Sequence, residues 1–178
     1  MYGIVLKSME DYISSQGKRF IFEQIKANSG IDELTYFLIH YYPNELSLKL
    51  LIKGAAYYEM TLNEFLELLG NHWATHAYDA NILTTQLSFT QFLKGINRIH
   101  ACILAGSEMQ IGVSPVYISH ETESGFVFYF KAKEKPLTPF LYGMVLGLGK
   151  KFNSPCEVSY LIENDFPKGI FESFKVSW

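Results

Sequence analysis

The chain has 178 residues, 48% hydrophobic and 16% aromatic, with 14 Phe and 12 Tyr; this is enough for one sizeable core and too apolar for a solvated, disordered segment. Fifteen Lys and Arg against 18 Asp and Glu give a net charge of −3, and no basic run is long enough to neutralise a phosphate backbone, which argues against nucleic acid as a partner. No apolar stretch reaches the roughly 20 residues needed to span a bilayer, and MYGIVLKSMEDYI at the start lacks the basic-then-apolar layout of a signal peptide, so the expectation is a cytoplasmic protein.

Up to about Ala105 the apolar residues return at three- and four-residue spacing, the mark of amphipathic helices. Ile4, Val5, Met9, Tyr12 and Ile13 form the first stripe. Phe22 and Ile25 form the second, with Gly30 as a stop. Pro43 opens a third segment through Leu46, Leu50, Leu51 and Ala55. Thr61-x-x-Glu64 is a capping box ahead of Phe65, Leu66, Leu68 and Leu69. A further helix starts near Ser88 or Thr90 and runs past His100 to Gly106.

Beyond Gly106 the period changes to two. Val116 and Ile118 alternate with their neighbours, and GFVFYFK (125–131) is aromatic and β-branched as strands prefer. Thr138-Pro139 offers an N-cap followed by proline at the first helical position, introducing FLYGMVLGLGKKF (140–152), and Pro155 forbids continuation. The three glycines of GMVLGLG do not follow a strand as a phosphate loop would, and read as close helix packing. CEVSYLIE (156–163) and ESFKVSW (172–178) are extended, with Phe174, Val176 and Trp178 alternating against Lys175 and Ser177. The expected fold is α+β: an N-terminal helical subdomain packed on a C-terminal antiparallel sheet with one or two helices. It forms one domain over 1–178, with a soft boundary near 106–112 between a mainly helical part, 1–106, and a sheet-plus-helix part, 107–178.

Few residues carry obvious chemistry. Cys102 and Cys156 belong to neither a CxxC pair nor a zinc spacing and read as small buried hydrophobes. His72 and His76, at i and i+4, share a helical face but have no HExxH or carboxylate cluster beside them, which favours a helix-end pair over a metal site. His40 and His120 stand alone. No Ser-His-Asp or Cys-His arrangement has supporting local sequence, which argues against an enzyme. His100, in GINRIHACIL (95–104), is different. It falls on the stripe of Phe92 or Leu93, Ile96 and Ile103 and therefore points inward. Periodicity leaves two readings, a core histidine bonded to a carbonyl or an axial ligand to haem iron.

MYGIV, YPNELSLKLLIKGAAYYEMTLNEFLELLGNHW, INRIH and FLYGMVLGLGKKF follow one another in an order and spacing that resemble the haem nitric-oxide-binding (H-NOX) domain family, over essentially the whole length. The resemblance implies the family's fold, haem b as cofactor, and His100 as the proximal axial ligand to its iron. It places Val5, Met9, Trp73, Tyr78, Phe140 and Met144 around the distal face, and Pro115 on the loop that presses on the porphyrin. Members that bind oxygen carry a distal tyrosine; the matching position here is Phe140, with Tyr142 close by, which implies nitric oxide or carbon monoxide instead. With no kinase or cyclase domain within these residues, the resemblance implies a separate partner, a histidine kinase or a cyclic-dinucleotide enzyme.

One family signature is missing. Members clamp the haem propionates with Tyr-x-Ser-x-Arg, and the corresponding stretch here is FVFYFKAKEKPL (126–137). With Leu137 and Gly143 fixing the register, Phe130, Ala132 and Glu134 replace the three, and a glutamate repels propionates. Slid by one residue, the places fall to Lys131, Lys133 and Lys135, whose ammonium groups hold carboxylates as point charges without arginine's fork. Two functions therefore follow from the sequence: a haem-based nitric oxide sensor, or a haem-free relative that binds a fatty acid or other apolar small molecule in the vacated pocket.

Overall fold

The computed structural model describes residues 3–30, 42–76, 88–95, 116–131, 138–154, 156–161 and 171–178. The helices are α1 (Gly3–Ser15), α2 (Arg19–Asn28), α3 (Asn44–Tyr57) and α4 (Leu62–His76), then α5, helical over residues 89–95, and α6 (Thr138–Lys151). The strands are β1 (Val116–Thr122), β2 (Gly125–Lys131), β3 (Glu157–Leu161) and β4 (Phe171–Ser177).

Local chemistry sets the helix ends. At α4 the Thr61 amide and hydroxyl donate to Glu64 Oε2 at 2.8 and 2.7 Å, and the Glu64 amide donates to Thr61 Oγ1 at 3.3 Å, which completes the expected box. The same device opens α5: the Ser88 amide donates to Gln91 Oε1 at 2.9 Å and the Gln91 amide to Ser88 Oγ at 3.2 Å, fixing the start at Ser88 and not at Thr90. After α2, Gly30 turns the chain with φ of 72°, and the Lys49 and Lys53 ammonium groups of α3 donate to the Ser29 and Asn28 carbonyls, satisfying acceptors that the helix end leaves open.

The strands form one antiparallel sheet in the order β1-β2-β4-β3. Phe126 of β2 lies opposite Val176 of β4, which lies opposite Val158 of β3; all three are buried, so one face of the sheet is a core wall, while Lys175 between them is exposed. Trp178 departs from the expected alternation by staying partly exposed. The strand ends at Ser177, so Trp178 folds over the β1–β2 hairpin. Its amide and indole N–H donate to the Ser124 and Glu123 carbonyls, and its ring meets Phe126 edge-on at 5.4 Å.

Two cores result. The first joins α1, α2, α3 and α4 through Val5, Leu6, Met9, Phe22, Leu50 and Phe65, and reaches Phe140. The second packs α5 and α6 on the sheet through Phe92, Met144, Leu148, Phe174 and Val176. The α4 and α6 helices join them at backbone contact. A Cβ added to Gly143 would lie 2.7 Å from the Glu67 carbonyl carbon; one on Gly70 would lie 2.8 Å from the Met144 nitrogen, and one on Gly147 2.8 Å from Ala74 Cβ. Gly143 and Gly147 of GMVLGLG therefore serve close helix packing, as read from the sequence, whereas a Cβ on Gly149 would meet Cys156 Sγ and the Ser154 carbonyl just beyond the helix, at 2.7 and 2.9 Å.

Candidate functional site

Five of the residues expected on the distal face lie among the described residues, on three helices. Val5 and Met9 stand one turn apart on α1, and Phe140 and Met144 one turn apart on α6; all four are buried. Phe140 packs in the first core with Val5 and Met9, Met144 lies in the second, and half-buried Trp73 of α4 packs against both. Trp73 thus stands at the seam between the two cores, with the other four divided between them. The terminal methyl of Met9 lies 2.7 Å from where a Cβ on Gly54 of α3 would stand.

Tyr142 does not share Phe140's surroundings. Its ring lies 6.0 Å from that of Phe174 on β4, in the second core, so the α6 phenol faces the sheet. Burial pushes its pKa up, with Glu67 and Cys156 adding to the effect. Burial likewise raises the Glu67 carboxyl, helped by Glu64, and the half-buried Cys156 thiol. The distal five themselves carry no ionisable group.

Thr138 departs from its expected place. It is the first residue of α6 and not the cap before it, so Pro139 falls second, still within the turn whose N–H groups have no helical acceptor. The Thr138 hydroxyl is buried and has no hydrogen-bond partner among the described residues. An unsatisfied buried hydroxyl is uncommon; this one sits two residues before Phe140, and nothing in the local sequence distinguished it from a cap.

His72 and His76 stack at 4.3 Å near the end of α4. His76 Nδ1 lies 2.8 Å from Thr75 Oγ1 and 3.2 Å from the His72 carbonyl oxygen, and His72 meets Tyr12 edge-on at 5.2 Å. Burial lowers the His72 pKa, His76 lowers it further, and Asp11 opposes. No group of three metal-binding side chains occurs among the described residues. His40, Tyr78, His100, Cys102, Pro115, Lys133 and Lys135 lie outside the described residues, as does the boundary near 106–112. Lys131 is the last residue of β2, opposite Phe171, and the rest of the clamp segment, 132–137, lies beyond it.

The family model for haem-NO-binding domains matches residues 2–160. The chain belongs to the haem-NO-binding, or H-NOX, family. Solved H-NOX structures carry the same fold at low identity. An Fe(II) H-NOX protein from S. oneidensis, a triple mutant, is similar at TM-score 0.82 and 12% identity, covering 99% of this chain and 95% of that one. The Fe(II)NO state from S. oneidensis gives 0.78 and 12%, covering 99% and 98%. An unliganded Fe(II) mutant from K. algicida gives 0.73 and 21%, covering 99% and 96%. No curated protein sequence matches this H-NOX chain. No described helix is long and apolar enough to cross a membrane.

Proposed function

We propose that this H-NOX domain is a haem-based gas sensor, with His100 as the axial ligand, Val5, Met9, Trp73, Tyr78, Phe140 and Met144 on the distal side, and Pro115 against the porphyrin. The reading is supported by the family match over residues 2–160, in a chain where Val5, Met9 and Phe140 share the first core, Met144 lies in the second and Trp73 packs against both. These side chains suit a flat apolar guest, and the Thr138 hydroxyl, which has no hydrogen-bond partner among the described residues, suits a guest with a polar edge.

Bound haem would supply an iron able to take a diatomic gas. The chain's part is to exclude water and withhold a hydrogen bond: Phe140 has no donor and Tyr142 is turned toward Phe174, which favours nitric oxide or carbon monoxide over oxygen. Lys131, Lys133 and Lys135 would hold the propionates as point charges. Strain released at His100 would shift the helical part against the sheet part, a two-state device read by a histidine kinase or a cyclic-dinucleotide enzyme.

A second reading, a haem-free carrier of a fatty acid, draws support from the missing Tyr-x-Ser-x-Arg over 126–137. An absorption spectrum of protein expressed with a haem supply separates the two. The sensor requires a Soret band that His100→Ala abolishes and added imidazole restores. No band at any loading, with a fatty acid released on denaturation, selects the carrier.

A further inference from the structure

A concavity lies on the surface of the helical part, away from the seam. Between α2 and α3 runs a groove of about 520 Å³, lined by Ile21, Gln24 and Ile25 of α2 and by Ala56 and Tyr57 of α3, with Asn28 and Lys53 at one end. Large apolar side chains stand exposed on these two helices: Phe20 is 61% exposed, Ile52 53% and Tyr57, in the groove lining, 43%. Phe20 stands one turn from Gln24, and Ile52 one turn from Ala56, so both flank the groove. Of the five large apolar residues exposed among the described residues, these three lie on α2 and α3. Such concentration marks a contact surface, because exposed apolar residues are ordinarily scattered.

Charge identifies the kind of partner. Residues 18–30 and 44–60 carry Lys18, Arg19, Lys26, Lys49 and Lys53 against Glu23, Glu45 and Glu59, on a chain whose net charge is −3. Lys26 is held by Glu23 at 2.8 Å, and no carboxylate lines the groove. Lys53 stands at the end where α2 stops, and at the other end Lys18 lies 5.8 Å from the centre of the Tyr57 ring. An apolar floor with a cation at each end matches an apolar stripe flanked by carboxylates. The concave shape suits a ridge of side chains better than a flat bilayer surface, and the 10 residues of α2 give a length of about 15 Å, enough for anchors at i, i+4 and i+7 of a helix.

We propose that the α2–α3 groove docks an acidic amphipathic helix of a separate protein. The proposal rests on the sensor reading only in supposing that a protein partner exists, and it does not depend on what fills the seam. The probe is a helical peptide of about fifteen residues with leucines at i, i+4 and i+7 and glutamates on the flanks, titrated into the isotope-labelled full chain and followed by amide chemical shifts. Shifts confined to α2 and α3 are expected, with affinity falling as salt is raised. The same peptide with lysine for glutamate should bind at least about tenfold more weakly, as should the glutamate peptide to Lys18→Glu and, separately, to Phe20→Ser. Phe20 is mostly exposed, and a circular dichroism spectrum and Tm unchanged in both variants would show that the fold is unaffected. The proposal is overturned if the lysine peptide binds as well, if shifts map elsewhere, or if nothing binds at about 1 mM. It is equally overturned if the groove variants instead abolish self-association of the chain or its sedimentation with phosphatidylserine vesicles.

Discussion

Replacing Gly143 by alanine tests the backbone contact between α4 and α6. The new methyl carbon would stand 2.7 Å from the Glu67 carbonyl carbon and 2.9 Å from its Cα, whereas non-bonded carbons sit comfortably at about 3.5 Å. The obstructing atoms are main chain and cannot rotate aside, so the helices must part by roughly 1 Å, and a gap of that size forfeits a quarter to a half of each contact it opens. Overpacking of this kind costs about 1–3 kcal/mol, here at the upper end, and the gain of about 0.5–1 kcal/mol from removing a helical glycine offsets part of it. The net expectation is a loss of about 2 kcal/mol, or roughly 4–8 °C in Tm for a chain of this length. Gly95 in α5 is the internal control, since a Cβ there meets nothing within 4 Å among the described residues, and Gly95→Ala should raise Tm by a few degrees. Thermal unfolding followed by circular dichroism reads both. A Gly143→Ala protein as stable as the parent would refute the contact.

The capping box at α4 predicts that Thr61→Ala costs about 1 kcal/mol in denaturant unfolding, and an unchanged midpoint would show that the box contributes nothing. Its hydrogen bonds to Thr61 hold the Glu64 carboxyl below the usual range, so this contribution is present above about pH 4.5 and fades as acid protonates it; Glu64→Gln should flatten that part of the stability curve. His72, with its pKa lowered by burial, works in the same direction higher up. The unfolded chain binds the proton more readily, so stability falls as pH drops below about 6.5, and His72→Gln should remove that slope. In haem-loaded protein, Phe140→Tyr adds a donor in the first core and should slow oxygen dissociation in stopped-flow, while Tyr142→Phe, which faces the sheet, should not change it. The reverse pattern would mean that α6 presents the other face to the gas. Lys131→Glu combined with Lys133→Glu should speed haem loss to an apomyoglobin acceptor, and an unchanged rate would reject the lysine clamp.

What could be read from the sequence follows the range of the interaction responsible. The Thr61 and Glu64 pair, and Ser88 with Gln91, are three residues apart, so their boxes are written locally. The strand at 125–131 announces itself because its run of aromatic and β-branched residues carries a local preference for extended backbone. Gly143 and Gly147 stood out as packing glycines, but Gly70, against which α6 also rests, did not, since only the folded chain brings 70 and 144 together. Thr138 illustrates the same limit: Thr-Pro is a good cap in isolation, yet α6 starts on the threonine and buries it. Phe140 against Tyr142 was undecided because a rotation of α6 exchanges them, and that rotation is set by Phe174, more than 30 residues later in the chain. Phe20 and Ile52 gave a faint signal as apolar residues off the buried stripes of their helices, although isolated exposed apolar residues are too common to mean much before they are seen flanking one groove.

The glycine contact also bears on how the proposed sensor would transmit a signal. On α6 the residues proposed to face the guest, Phe140 and Met144, are interleaved with Gly143 and Gly147, which touch α4. A close-packed backbone contact has no side chains to re-sort, so displacement of α6 by a guest must carry α4 with it or break the contact altogether. Val145 and Leu148 bind α6 to Phe174 and Val176 of β4, whereas α4 is joined to α1 and α3 by Phe65, Leu66 and Leu69. The α4–α6 pair is therefore the element common to both cores, and the relative motion the sensor needs must fall at its borders, against the sheet on one side or against α1 and α3 on the other. The α2–α3 groove lies beyond the second border, so a shift there would reach the proposed docking surface, while a shift confined to the sheet would not. Peptide affinity measured with and without nitric oxide on haem-loaded protein distinguishes the two: a change places the moving border at α1 and α3, and identical affinities place it at the sheet.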